Sequence, residues 1–261
     1  MSEFGFVKKI KRHAYRSGRK LSASLRRLEY AKRKQIALRK RYKYHLSDAI
    51  FQSSNADANK NWIFHDENWI RVINRSEHRA ILAKNLPLSV IDNNQKISKE
   101  VCFEKDGSIN FKGHTSCNDE WLYLYLDPAR YCWDNYSWQF KIKRDTHFKE
   151  FQFGFRYQDF YNRYRYRIQD DKVHFDKVIN GQFHNSCSVA PFKMEPGVWY
   201  DIRIDIFDNM FKLYINNEVV LTDFDFDNNF PTGSIAIILW ENNSATDIKA
   251  SIGQINIYNL V

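Results

Sequence analysis

The residues able to act on a ligand fall into two sets, one suited to bond-breaking and one to binding. In the first set, Asp223-Phe-Asp-Phe-Asp227 puts three carboxylates on one face of an extended strand. Retaining glycoside cleavage needs a nucleophile and an acid about 5–5.5 Å apart, a separation that alternate strand positions supply. The run contains no Glu, and it reads as an acidic strand end or a weak cation site. Asp145 is an isolated turn residue. His65, His78, His114, His147, His174 and His184 show neither H-x-H nor H-x-x-x-H spacing. Cys102, Cys117, Cys132 and Cys187 form no C-x-x-C pair, which argues against a zinc ribbon or a thioredoxin-like site and suggests free thiols in a reducing compartment. The expectation is no catalytic residue, no metal and no cofactor. A glycoside hydrolase with an unrecognised site stays open as the alternative.

The binding set is richer. The chain holds 20 Phe, 15 Tyr and seven Trp. Sugars stack their C–H faces on aromatic rings and offer hydroxyls to planar polar groups. Trp121, Tyr123 and Tyr125 share one face of a strand whose other face is Leu122, Leu124 and Leu126. With the leucines in the core, the rings form a stacking surface; the alternative is a strand covered on both faces. Arg163, Arg165 and Arg167 line the polar side of another strand, with Arg156 and Gln158 before it and Lys141 and Lys143 on a third. Neighbouring strands of this kind build a basic patch for uronate, sulfate or phosphate; the alternative is a plain charged solvent face. Asp159 and Asn162 sit in the adjoining turn, placed to orient hydroxyls. The expected carbohydrate-binding residues are therefore Trp121, Tyr123, Tyr125, Arg156, Gln158, Asp159, Arg163 and Arg165.

The elements that position them read as strands. Trp138, Phe140 and Ile142 alternate with polar residues, as do Phe151, Phe153, Phe155 and Tyr157, then Tyr164, Tyr166 and Ile168, then Ile202, Ile204 and Ile206, then Phe211, Leu213 and Ile215. Period two gives each strand a buried and a polar face. Asp106-Gly107, Asn180-Gly181 and Asn216-Asn217 are hairpin turns, since these residues tolerate positive φ. Many short strands at regular spacing, without βαβ alternation, specify an all-β, two-sheet antiparallel jelly-roll sandwich over residues 51–261.

Residues 1–50 differ. Leu21, Leu25, Leu28, Ala31, Leu38, Tyr42, Leu46 and Ile50 recur at helical spacing, and 19–46 contain neither Gly nor Pro. Residues 1–43 carry 16 Lys and Arg against two acids, whereas the rest carries 24 bases and 29 acids. This long basic amphipathic helix suits an anionic membrane surface or a helical protein partner, met through Lys32, Arg33, Arg39, Lys40 and Lys43. Plain packing on the body is the alternative, and nucleic acid is not favoured. The longest apolar run, Ile235 to Trp240, is too short to cross a bilayer, and no apolar signal region follows the basic start. The expected location is cytoplasmic, with peripheral attachment to a membrane.

Several stretches together resemble the concanavalin A-like lectin/glucanase superfamily, in particular its laminin-G-like and 3-keto-disaccharide-hydrolase-like jelly rolls. They are Phe153 to Ile168, Lys177-Val-Ile-Asn-Gly181, Pro196-Gly-Val-Trp-Tyr-Asp-Ile-Arg-Ile204, Phe211-Lys-Leu-Tyr-Ile-Asn-Asn217, Pro231-Thr-Gly-Ser-Ile-Ala-Ile237 and the final strand from Ile252 to Tyr258. The likeness covers about residues 100–261. Asn217 stands where such chains usually have Gly, and the basic helix has no counterpart there. The resemblance implies a lectin, a glycosidase or a protein-binding module, and the Glu-x-Asp-x-(x)-Glu strand of the glucanases is missing. The expectation is thus a non-catalytic glycan-binding protein, with anionic glycans among its candidate ligands, tethered by the helix to a membrane or assembly and linked to surface polysaccharide. A hydrolase, and an interaction module whose helix carries the function, remain open.

Overall fold

The computed structural model describes residues 25, 28–38, 45–53, 62–66, 99–115, 120–126, 128–243 and 245–261, with backbone alone at 48, 62–66, 99–103 and 120–123. The chain divides into two compact units, Met1–Lys43 and Tyr44–Val261.

In the first unit, residues 28–38 are helical, and Glu29 pairs with Arg33 one turn on at 2.9 Å. Leu25, Leu28, Ile36 and Leu38 are exposed, as are Lys32 and Arg33. Arg39, Lys40 and Lys43 lie outside the described residues. The expected helix continues to Ile50, but the chain is extended from Leu46 onward. Ser47 and Asp48 are poor in a helix interior, and the backbone there gains a strand partner instead. Phe51 is then buried, edge-on to Tyr131 and Trp133.

The second unit holds sixteen described strands: β1 (Leu46–Gln52), β2 (Trp62–Asp66), β3 (Lys99–Phe103), β4 (Ile109–His114), β5 (Glu120–Leu126), β6 (Tyr136–Arg144), β7 (Glu150–Asp159), β8 (Asn162–Gln169), β9 (Lys172–Ile179), β10 (Gln182–Pro191), β11 (Trp199–Phe207), β12 (Met210–Ile215), β13 (Glu218–Phe224), β14 (Ser234–Glu241), β15 (Asp247–Ile252) and β16 (Asn256–Leu260). They form two antiparallel sheets. One runs β13-β12-β11-β6-β15-β4-β3, with β16 on β6 and β1 on β16; the other runs β10-β9-β8-β7-β14-β5-β2. The turn residues behave as their types demand, with φ of 50° and 71° at Asn180 and Gly181 and 50° and 66° at Asn216 and Asn217.

The core lies between the sheets, where the expected inward sets meet: Trp138, Phe140, Phe151, Phe153, Phe155, Tyr164, Tyr166, Ile204, Phe211 and Leu213. Trp138 stacks near Phe140 at 4.5 Å, and Phe155 lies over Tyr166 at 5.2 Å. Leu124 and Leu126 join this core and point inward as expected.

One register fault changes several side chains. A bulge interrupts the β7–β8 pairing between Phe155 and Asp159, and Arg156 adopts a φ of 43°. The extra residue turns Arg156 inward, over the Phe211 ring, and turns Tyr157 outward against Tyr125. Strict alternation had placed both the other way.

The two ends of this unit pair with each other. Leu46 faces Leu260, and His45 and Val261 exchange backbone hydrogen bonds of 3.1 and 3.2 Å. This pairing sits beside Asn135 and Tyr136, at the start of β6.

Candidate functional site

The arginines expected to face solvent on the outer side of the seven-stranded sheet are covered. Arg163 is 0% and Arg165 3% exposed, and Gln152, Arg167 and Asp176 beside them are buried too. Asp176 Oδ2 accepts from Arg165 Nε at 2.9 Å and from Arg167 Nε at 2.8 Å, while its Oδ1 accepts from the Ser186 N–H at 2.6 Å. Arg165 Nη1 donates to Gln152 at 2.8 Å, Gln152 Nε2 to Glu150 at 2.6 Å, and Arg167 Nη1 to Glu150 at 3.0 Å. Burial alone would raise the Asp176 carboxyl, yet Arg165 and Arg167 together hold it below the usual carboxylate range. Burial pushes the Arg165 guanidinium down to about 10, so it stays charged at neutral pH.

The solvent-facing basic patch is therefore corrected to a buried ion-pair layer. Period-two alternation shows which residues leave the core, not whether something covers them.

Arg156 is corrected likewise. It is 2% exposed and donates to three loop carbonyls, Phe230 O at 3.0 Å, Asp134 O at 3.2 Å and Asp208 O at 2.5 Å. It fastens three connections at one end of the sandwich.

Gln158 and Asp159 are exposed, as expected, but engaged. Gln158 donates to Thr232 O at 2.5 Å, and Asp159 accepts from the Tyr161 N–H at 2.6 Å and from the Asn162 amide. Tyr125 is half-buried on Tyr157, with ring centres 5.2 Å apart. The side chains of Trp121 and Tyr123 lie outside the described residues.

The acidic run at the end of β13 is also spent internally. Asp223 accepts from Ser188 and Tyr166, and Asp225 from Tyr164, from Lys177 Nζ at 2.6 Å and from the Asn229 N–H at 2.6 Å.

A cleft of about 540 Å³ opens at the other end of the sandwich from Arg156. It forms where the β6–β7, β8–β9, β10–β11 and β14–β15 connections meet, and each part has a local cause. The β8–β9 turn is Asp170-Asp171, both at positive φ, 49° and 57°. Asp170 is tied to Lys149 at 2.8 Å, and this hydrogen bond lowers its carboxyl from the usual value. Glu241, ending β14, accepts the N–H groups of Lys149, Asn242 and Asn243, each at 2.9 Å, and so shapes two loops at once.

Arg144, buried at the end of β6, donates to Met194 O at 2.8 Å and to Phe148 O at 3.4 Å. Phe148, Ile168 and Met194 make the apolar part of the lining. Among the described residues, no hydrogen bond is made by the side chains of His147, Asp171, Asn242 or Asn243, all of which line the cleft. The arrangement offers a carboxylate that makes no hydrogen bond but whose charge is felt by Arg144, two amides and an imidazole around an apolar floor. It can accept and donate several hydrogen bonds to a polyhydroxylated ring.

The sequence reading missed this cleft, because its residues come from four connections with no common spacing. The only local signals were the Asp-Asp and Asn-Asn pairs at strand ends.

No family model matches the sequence, and no curated protein matches it. Among solved structures, a Bacillus subtilis protein of unknown function with a galectin-like fold superposes with a TM-score of 0.58 at 9% identity, over 84% of this chain and 99% of that one. The carbohydrate-binding module CBM66 from Bacillus subtilis gives 0.47 at 15% identity, over 65% of this chain and 99% of that one. The Emp47p carbohydrate recognition domain gives 0.44 at 15% identity, over 65% and 90%. The body of this chain is thus an antiparallel sandwich with a galectin-like fold.

Proposed function

We propose that the sandwich binds carbohydrate without cleaving it, and that the end cleft is its sugar site. The observation that carries this reading is the set of unengaged polar side chains, Asp171, Asn242, Asn243 and His147, around the Phe148, Ile168 and Met194 lining. A cleft of this size falls in the range of small-ligand sites, and carboxylate and amide groups match hydroxyls in both directions. The likeness to solved lectin-type domains agrees with the reading.

The test is a glycan array with the full chain, followed by titration of the retained sugar. Asp171→Ala and Asn243→Ala should each weaken binding by about 1–3 kcal/mol, roughly 5- to 150-fold. Asn243→Ala should shift the melt by no more than about 0.5 kcal/mol of stability, while Asp171→Ala, at a φ of 57°, adds left-handed strain of up to about 1–2 kcal/mol. A retained glycan whose affinity ignores both substitutions would place the site elsewhere. Release of labelled product from the same glycan would favour the hydrolase reading.

The helix supports a second part of the proposal, attachment to an anionic membrane surface. Exposed Leu25, Leu28, Ile36 and Leu38 accompany exposed Lys32 and Arg33 on a segment rich in positive charge. The full chain should sediment with acidic liposomes and not with neutral ones. Added salt should release it, since screening acts over about 8 Å at physiological ionic strength. Equal sedimentation with both liposome types would remove the electrostatic attachment.

A further inference from the structure

We infer that the outer side of the seven-stranded sheet holds an oxyanion site centred on the Arg163 guanidinium. Arg163 is 0% exposed, and none of Nε, Nη1 and Nη2 has a hydrogen-bond partner. An uncompensated buried charge is among the costliest features a fold can carry. The nearby carboxylates do not supply its partner. Asp176 and Glu150 are already shared between Arg165 and Arg167, so three guanidinium groups face two acids and one positive charge is left over. Asp159 is occupied by its own turn.

The surroundings of the guanidinium are apolar. Gly154 lies beneath the arginine stem, and a Cβ there would stand 3.2 Å from the Ala236 Cβ and 3.6 Å from Arg163 Cδ. The small residues at 154 and 236 let the arginine stem lie close against the sheet. The Phe160 ring lies over Arg163, 4.6 Å from ring centre to guanidinium carbon. Such a contact offsets part of the charge and forms no hydrogen bond. Phe160 sits at the tip of the β7–β8 turn, half-buried, beside the apolar cluster of Tyr157, Ala236 and Ile238. Three unused donor nitrogens in a planar fork match two oxygens of a sulfate, a phosphate or a carboxylate. The oxyanion is either free or carried on an acidic sugar. The site is on the sheet face and does not depend on the end cleft binding sugar.

The experiment is thermal melting of the full chain at constant ionic strength. Sodium sulfate, sodium phosphate and sodium glucuronate are titrated, with sodium chloride and glucose as controls. The expected result is a saturable rise in the melting temperature with at least one oxyanion, absent in Arg163→Met. A response to glucuronate alone assigns the group to an acidic sugar. A response to sulfate or phosphate assigns it to the free anion. Phe160→Ala removes the ring over the guanidinium, together with its packing on Tyr157, Ala236 and Ile238, and it should lower the dissociation constant several-fold. This second variant decides the matter if Arg163→Met does not fold. The inference is overturned if no oxyanion exceeds the chloride control, if Arg163→Met responds as the parent does, or if Phe160→Ala leaves the dissociation constant unchanged. Loss of glycan binding through Asp171→Ala has no bearing on these outcomes.

Discussion

Asp176→Ala should destabilise the chain by about 3–5 kcal/mol in urea unfolding at neutral pH, the range for removing one partner of a buried ion pair. One carboxylate oxygen of Asp176 joins Arg165 to Arg167, and the other anchors the Ser186 N–H. Alanine leaves two buried guanidinium groups to share Glu150. Asp201→Ala is the internal comparison. Its partner Lys141 is 3.4 Å away on the exposed side of the other sheet, and loss of such a pair costs at most about 1 kcal/mol. Equal losses for the two variants would mean that the buried layer contributes no more than a surface pair.

The same carboxyl gives a pH signature. Its folded-state value lies below the ordinary one, so its contribution is present above the unfolded-chain value of about 3.9 and is lost as pH falls through the folded value. Asp225 is lowered too, where Lys177 and Tyr164 outweigh the effect of burial. Glu150 opposes them, since burial raises it. The parent chain should therefore lose stability below about pH 4, and Asp176→Ala should flatten that acid limb. A parallel acid limb in the variant would remove Asp176 as its source.

Gly233→Ala should cost about 3 kcal/mol, at the upper end for forcing atoms into a packed site. The added Cβ would stand 2.4 Å from the Arg156 carbonyl carbon and 2.7 Å from its Cα, and backbone cannot swing aside as a side chain can. Gly233 is held in place from the far side by paired hydrogen bonds with Trp133, 3.0 and 3.1 Å long. The collision would displace the bulge at Arg156 and loosen the carbonyls of Asp134, Asp208 and Phe230 together. Gly197→Ala is the control. It also has positive φ, 74°, but no atom lies within 4 Å of its Cβ position, so only the left-handed strain of about 1–2 kcal/mol remains. If Gly233→Ala melts with Gly197→Ala or above it, the contact with Arg156 relaxes freely.

The strand faces of the core were legible because burial imposes period two on each strand. Trp138 with Phe140, Tyr164 with Tyr166 and Ile202 with Ile204 all point inward as their spacing requires. The Asn-Gly and Asn-Asn turns were legible because their backbone needs positive φ. Arg156 and Tyr157 were not, since a bulge adds one residue and inverts alternation without a sequence mark of its own. Leu46 and Ile50 fit a helical stripe and a strand equally well, and pairing with β16 decides between them. The buried state of Arg163 and Arg165 depends on what lies over the sheet, which local spacing does not encode. The cleft joins Arg144, Asp171, Met194 and Asn243 from four connections, and only the closed sandwich brings them together.

The pairing of β1 with β16 has a geometric consequence. His45 and Val261 are backbone partners beside the first residue of β6, whereas Arg144, the last residue of that strand, lines the cleft. The nine residues of β6 make eight steps between the two poles, about 26 Å at roughly 3.3 Å per residue. His45 and Val261, the two ends of the described sandwich, therefore share one pole, and the cleft opens at the opposite one. A side chain changed at the terminal pole acts on the cleft only through the full length of β6.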